Sequence, residues 1–104
     1  MVQYPGWYEQ QKERYPDAFA AYEKLGEESR KAGPLDDRTQ ALAKLAIAVG
    51  ARLEGAVHSH TRRALEAGAS ANECRHVVLL GITTLGFPTM MAALSWVEDI
   101  TRDA

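Results

Sequence analysis

Cysteine is almost missing from this sequence, since Cys74 is the single one among 104 residues. An intramolecular disulfide and a zinc site built from cysteines are therefore excluded. A lone thiol is typical of reducing compartments, which favours the cytoplasm as the location. The first ten residues, MVQYPGWYEQ, have no basic stretch followed by an apolar one, so no signal peptide is predicted.

Long hydrophobic runs and an excess of one charge are also missing. The most apolar segment, 41–51, contains Lys44 and is too short to span a bilayer. The formal net charge is -2 and the isoelectric point is about 5.9, so no broad basic surface exists for a phosphate backbone. We therefore expect neither a membrane nor a nucleic acid as a partner.

Strand patterns are absent, whereas apolar residues recur at helical spacing along the chain. Proline, glycine and capping residues divide that pattern into segments. Asp36 is expected to cap one helix, and Ser70 with Glu73 has the spacing of a capping box that opens another. The sequence predicts an all-α protein, a compact bundle of five to six helices forming a single domain over residues 1–104, with helices at about 6–14, 16–31, 37–50, 53–67, 71–85 and 89–101.

The helix that contains Ala41 to Val49 is apolar on nearly every side. Such a helix must be covered on most of its circumference. In a chain of this size, the pattern predicts either a central helix or an interface between subunits.

The segment Leu53–Gly68, LEGAVHSHTRRALEAG, resembles the signature region of the carboxymuconolactone decarboxylase and alkylhydroperoxidase D-like family. In the alkylhydroperoxidase D-like members this region reads CxxCxxxHxxxAxxxG, followed by a small-residue cap and an acidic pair. The segments GPLDDRTQALAKLAIAVG and ITTLGFPTMMAALSW resemble the parts of the family that flank it. The resemblance extends from about Gly33 to the C-terminus, and residues 1–32 match less well. The matching positions are His60, Ala64, Gly68, Ser70 and Glu73.

The resemblance implies an alkylhydroperoxidase D-like helical fold and a homo-oligomer, a hexamer or a trimer. It also places this chain in a branch that lacks the redox pair, because Leu53 and Ala56 stand where the two cysteines belong. A glutamate that relays protons in the peroxidase branch corresponds to Ala41. Peroxide reduction needs one thiolate to attack and a second thiol to resolve the sulfenate, so thiol peroxidase activity is not expected.

His60 persists from that set of working residues and lies on the apolar stripe of its helix. One interpretation is a buried histidine that is hydrogen-bonded to a carbonyl or a side chain. The other, which the resemblance supports, is a general acid/base whose pKa is set by partial burial.

Glu54 and His58 form a possible secondary polar site, since they are four residues apart on one face of the same helix. They are interpreted either as a surface pair or as half of a metal site completed by His76 or by another subunit. We expect no metal and no cofactor. Cys74 is expected in the core, and Tyr4, Trp7 and Tyr8 form an aromatic N-terminal cluster.

Three functions are consistent with these residues. The first is acid/base chemistry by His60 on a small carboxylate or lactone, with Arg52 as the nearest cationic anchor. The second is a non-catalytic oligomeric protein for assembly or for binding a small-molecule ligand. The third, an alkylhydroperoxidase or peroxiredoxin-type antioxidant, is the least favoured because the cysteine pair is absent.

Overall fold

The structure is a computed structural model that describes residues 6–102. Over this range the chain is all-α and contains no strand, as the sequence predicts. Six α-helices agree with the five to six predicted. They are α1 (Trp7–Arg14), α2 (Pro16–Lys31), α3 (Asp37–Gly50), α4 (Glu54–Glu66), α5 (Ala71–Leu79) and α6 (Phe87–Thr101), with a 3-10 helix (Leu80–Thr83) after α5. None of these helices is long and apolar enough to cross a membrane.

The helices divide into two compact units, and the first contains α1 and α2. Pro16 starts α2 at the first helical position, where its missing N–H costs nothing. The ring of Tyr8 meets the ring of Phe19 edge-on, with centroids 5.3 Å apart. The Tyr8 hydroxyl donates to Glu23 at 2.8 Å, and Lys12 forms an ion pair with the same carboxylate at 3.0 Å. These contacts hold α1 against α2.

The second unit begins at Asp36 and contains α3 to α6. Its caps are those that the sequence predicts. The Thr39 amide donates to Asp36 at 2.8 Å at the start of α3. At the start of α5, the Glu73 amide donates to the Ser70 hydroxyl at 3.0 Å, and the Ser70 amide donates to the Glu73 carboxylate at 2.8 Å. Glu73 also pairs with Arg38, which connects the first turns of α3 and α5.

Helices α3 and α4 end with the same backbone motif. After α4, the amides of Gly68 and Ala69 donate to carbonyls of the last turn at 3.1 and 2.9 Å, and Gly68 has φ +97°. After α3, the amides of Arg52 and Leu53 do so at 3.0 and 3.2 Å, and Arg52 has φ +58°. This is a Schellman motif, in which glycine usually takes the left-handed position. Arginine holds that position after α3.

The core of the second unit is built from fully buried side chains of four helices. Leu45 comes from α3, Val57 from α4, Val78 from α5 and Val97 from α6. The buried hydroxyl of Thr61 donates to the Val57 carbonyl at 2.7 Å, so it brings no unsatisfied polar group into the core. Because α4 contacts both α3 and α6, it has two flanks, one on each side of its core-facing residues.

Helix α3 is buried on one side only. Ala41, Leu45, Ala48 and Val49 face the core, whereas Ile47 is 70% exposed. The prediction of a central helix is therefore wrong for this chain alone. The second possibility, an interface between subunits, stays a prediction.

Candidate functional site

His60 lies on one flank of α4, next to the row that faces the core. It is half-buried, and its Nδ1 atom is fully buried without a hydrogen-bond partner in residues 6–102. The interpretation as a structural histidine requires a bond that this nitrogen does not make. A buried polar atom without a partner is costly and is uncommon in folded proteins.

The two positions that are cysteines in the peroxidase branch, Leu53 and Ala56, precede His60 by seven and four residues. Ala56 is one turn before His60 on the same flank and packs against the core. Leu53 directly precedes α4, in an extended conformation, and is 55% exposed. Neither side chain carries an atom that can attack a peroxide or donate a proton.

The packing of α3 against α4 determines the electrostatics of His60. Burial is the largest influence and lowers its pKa, because the charged imidazolium loses hydration. The positive charges of Lys44 on α3 and Arg63 on α4 lower the pKa further. At neutral pH the His60 ring is therefore neutral and able to accept a proton.

Neither of these cations was expected from the sequence, which pointed to Arg52. Arg52 is exposed and is not among the charges that lower the pKa of His60. A signal was nevertheless present. Lys44 is three residues after Ala41, the position of the family's glutamate, and Arg63 is three residues after His60. Residues at this spacing share a helix face.

The secondary polar site is on the opposite flank of α4, because two residues rotate a helix by about 200°. His58 Nε2 donates to Asp99 Oδ2 at 3.0 Å, so His58 joins α4 to α6. Within residues 6–102 no group of three or more metal-binding side chains comes together. His76 is exposed on α5, and no group that joins it to Glu54 and His58 is present among the described residues. Completion of the half-site by another subunit stays a prediction.

Cys74 is in the core, as predicted. Its side chain is fully buried between the helices of the second unit. Burial raises the pKa of the thiol, and the opposing effect of Arg75 is smaller. The thiol is therefore protonated at neutral pH and is inert as a nucleophile.

The aromatic N-terminal cluster belongs to the first unit. Tyr4 lies outside the described residues, Trp7 is exposed, and Tyr8 packs on Phe19. A groove of about 360 Å³ between α1 and α2 is lined by Tyr8, Ala18, Phe19 and Tyr22. None of the predicted site residues lines this groove.

Comparison with known proteins identifies the family to which this helical arrangement belongs. The sequence model of the carboxymuconolactone decarboxylase family matches residues 16–99. Searches of curated proteins and of solved structures gave no significant match. Because the family match runs from the first residue of α2 into the last turn of α6, the chain belongs to the carboxymuconolactone decarboxylase family.

Proposed function

We propose that this protein is an enzyme that uses His60 as a general acid/base on a small carboxylate or lactone, and that it works as a homo-oligomer, a trimer or a hexamer. The observation that carries the catalytic part is the buried Nδ1 atom of His60, which has no partner within residues 6–102. Because Nδ1 makes no internal bond, no partner within the described residues holds the ring in one protonation state. Partial burial gives the ring the environment in which histidine transfers protons efficiently near neutral pH.

Decarboxylation of an unsaturated lactone acid needs one proton transfer, which a single histidine can perform. The bond between the ring carbon and the carboxylate carbon breaks, and carbon dioxide leaves. The electron pair moves into the conjugated lactone to form an enolate. His60 then delivers one proton to the enolate carbon and regains a proton from water, so each turnover consumes one proton. His60 must be protonated for this step, and the negative charge of a bound carboxylate favours that form.

Peroxidase chemistry has no support from these residues. Leu53 and Ala56 lack sulfur, and Cys74 is buried with a raised pKa. Reduction of a hydroperoxide needs a thiolate that solvent can reach. A rate of dithiol-dependent hydroperoxide consumption that survives Cys74→Ala would contradict this reasoning.

Self-association is supported by large apolar side chains that the chain leaves exposed. In the second unit they include Ile47, Leu53, Leu80 and Phe87, each more than half exposed. We infer that these side chains face other subunits, since contiguous exposed apolar surface marks sites of protein–protein contact. A domain of this length also gains stability from burial against other subunits.

The catalytic proposal is tested by release of carbon dioxide from carboxymuconolactone and from a panel of small lactone acids. We compare wild type with His60→Gln, which keeps the size of the side chain, and use His76→Gln as the control because His76 is exposed on α5. His60→Gln is expected to slow turnover by about 100-fold or more, while His76→Gln keeps the wild-type rate. Circular dichroism confirms that each variant is folded. A wild-type rate in His60→Gln, or no turnover of any compound by wild type, rejects the proposal in favour of a non-catalytic role.

A further inference from the structure

Five large apolar side chains are exposed where the chain passes from α5 into α6. They are Leu79 at the end of α5, Leu80 and Ile82 in the 3-10 helix, and Phe87 and Met91 in the first turns of α6. Leu80 and Phe87 are more than half exposed. Phe87 and Met91 are four residues apart and share one face of α6. We call these five residues the α5–α6 corner.

This corner lies in the longest stretch of the sequence that carries no charge. Residues 77–97 contain no aspartate, glutamate, lysine or arginine, although 25% of the whole chain is charged. The next longest uncharged stretch, residues 1–8, is less than half as long. Large exposed apolar side chains in a surface without charges are typical of the core of a protein–protein contact.

The framework under the corner is tightly built. Val78 and Met90, on either side of it, are buried in the core. Between them the Leu85 amide donates to the Gly81 carbonyl at 2.7 Å, and the Leu85 side chain packs against the core. A Cβ atom at Gly81 would lie 3.2 Å from Leu85 Cδ1, so these two residues approach each other closely. Because these contacts fix the turn, the exposed side chains form a surface that needs little ordering when a partner binds.

The absence of charge decides which kind of partner fits the corner. A nucleic acid or an anionic lipid surface is held by lysine and arginine, and residues 77–97 contain neither. An unrelated protein is selected by complementary charges, which this surface also lacks. A second copy of the chain is different, because a two-fold contact places the same surface on both sides. Any charge there would lie near its own copy, so a surface free of charge suits this partner best.

We propose that the α5–α6 corner is a contact between two copies of this chain, which pack corner against corner about a two-fold axis. The inference rests on the self-association proposed above and adds the surface that forms the contact. A two-fold contact joins chains in pairs, so only the hexamer, of the two assemblies proposed above, contains it. Joining the pairs to each other requires a second kind of contact, which we assign to the side of α3 that exposes Ile47.

The variant Phe87→Asp tests the corner while leaving the fold of one chain undisturbed. Phe87 is exposed at the first residue of α6, where a carboxylate is favourable to the positive end of the helix dipole. Across a two-fold axis, however, the substitution brings two like charges together in a surface from which water is removed. Leu25→Asp is the matched control, because Leu25 is 68% exposed, lies in the first unit and receives the same charge. Phe87→Met keeps an apolar side chain in the corner.

Native mass spectrometry and analytical ultracentrifugation of the full chain report the assembly, and circular dichroism reports the helix content. Wild type, Phe87→Met and Leu25→Asp are expected to be hexamers. Phe87→Asp is expected to weaken the contact by about 100-fold or more and to leave trimers, whereas Ile47→Glu is expected to leave pairs. Met91→Asp, one turn along the same face of α6, should act as Phe87→Asp does.

A charge swap shows whether the contact is two-fold. Phe87→Lys carries the opposite charge to Phe87→Asp at the same position, so each variant alone repels its own copy. When the two variants are mixed, a negative corner meets a positive one, and hexamers should form again. If Phe87 instead met a different surface of the next chain, mixing would change nothing, because both variants share that surface.

The inference is overturned by a wild-type trimer, by a hexamer that persists in Phe87→Asp, or by a mixture of the two charged variants that does not reassemble. An equal loss of assembly in Leu25→Asp also overturns it, because the effect would not be specific to the corner. These outcomes separate the inference from the function on which it rests. A wild-type trimer removes the two-fold contact and leaves self-association, whereas a wild-type monomer removes both. Release of carbon dioxide is measured separately and decides the role of His60 alone.

Discussion

His58 Nε2 lies 3.0 Å from Asp99 Oδ2, and this bond joins α4 to α6 on the flank of α4 opposite His60. The two histidines are two residues apart in sequence, yet their surroundings differ. His58 has a carboxylate partner from another helix, whereas the Nδ1 atom of His60 has none within the described residues. We therefore expect the first histidine to contribute to stability, and the second is the one that we propose as the acid/base.

Replacement of His58 is expected to lower stability without removing the chemistry proposed for His60. His58→Ala should reduce the free energy of unfolding in urea by about 1 kcal/mol, the usual worth of a hydrogen bond at this depth. A double-mutant cycle with Asp99→Ala should assign about 0.5–1 kcal/mol to the pair itself. His76→Ala, on an exposed face of α5, should change stability by less than about 0.5 kcal/mol. Equal effects of His58→Ala and His76→Ala would show that the bond does not stabilise the protein.

His60 should make stability depend on pH in a direction that its pKa determines. Burial, Lys44 and Arg63 all lower the pKa in the folded state, while the unfolded chain has a histidine pKa of about 6.5. Protonation therefore favours unfolding. The stability that the neutral ring contributes is fully present above about pH 6.5 and is lost as the pH falls through the folded pKa.

Urea denaturation between about pH 8 and pH 5 checks this expectation. Wild type should lose more stability over this range than His60→Gln, which cannot gain a proton. The control is the pH dependence of stability of His76→Gln. Because His76 is exposed, its replacement should leave that dependence as it is in wild type. Identical pH profiles for wild type and His60→Gln would contradict the lowered pKa.

Local chemistry made the caps at Asp36, Ser70 and Gly68 predictable, whereas the contacts between helices were not. Where no cap marked the boundary, the prediction was less accurate: α5 ends at Leu79 and not at 85, and α6 begins at Phe87 and not at 89. Asp36, the Ser70–Glu73 box and Gly68 act on amides within three or four residues, so their roles follow from spacing. The partner of His58 is 41 residues away in sequence. The proximity of Lys44 to His60 depends on how α3 is rotated against α4, and a helical pattern does not contain that angle. The family signature therefore indicated His60, but it did not indicate the charges around it.

The two Schellman motifs predict that glycine is the more stabilising residue at both left-handed positions, so Arg52→Gly and Gly68→Ala should change stability in opposite directions. Arg52 occupies the left-handed position after α3, where a residue with a side chain costs about 1–2 kcal/mol. Arg52→Gly removes that cost and adds freedom to the unfolded chain, so we expect a gain of about 0.5–1 kcal/mol in the free energy of unfolding. The measurement is urea denaturation.

Gly68 provides the matched control after α4. A Cβ atom at this position meets no other heavy atom within 4 Å, so Gly68→Ala tests backbone conformation alone. It should lose about 1 kcal/mol. A loss of stability in Arg52→Gly would mean that the arginine side chain makes a contact worth more than the backbone strain.

We expect the exposed side of α3 to be covered by another subunit. Ile47 is 70% exposed, which is unusual for a large aliphatic side chain in the middle of an apolar helix. Native mass spectrometry of wild type is expected to show a trimer or a hexamer. Ile47→Glu should shift the population to smaller species, because a charge buried between subunits without a partner is strongly unfavourable. Arg62→Glu, on the exposed face of α4, should leave the mass unchanged.

A monomeric wild type would contradict the interface, and so would an unchanged oligomer in Ile47→Glu. The position of Ile47 also connects assembly to the site. Ile47 is three residues after Lys44 on α3, and residues at this spacing share one side of a helix. A subunit that covers Ile47 is therefore expected to shield Lys44 from water as well, which strengthens the effect of the Lys44 charge on the pKa of His60.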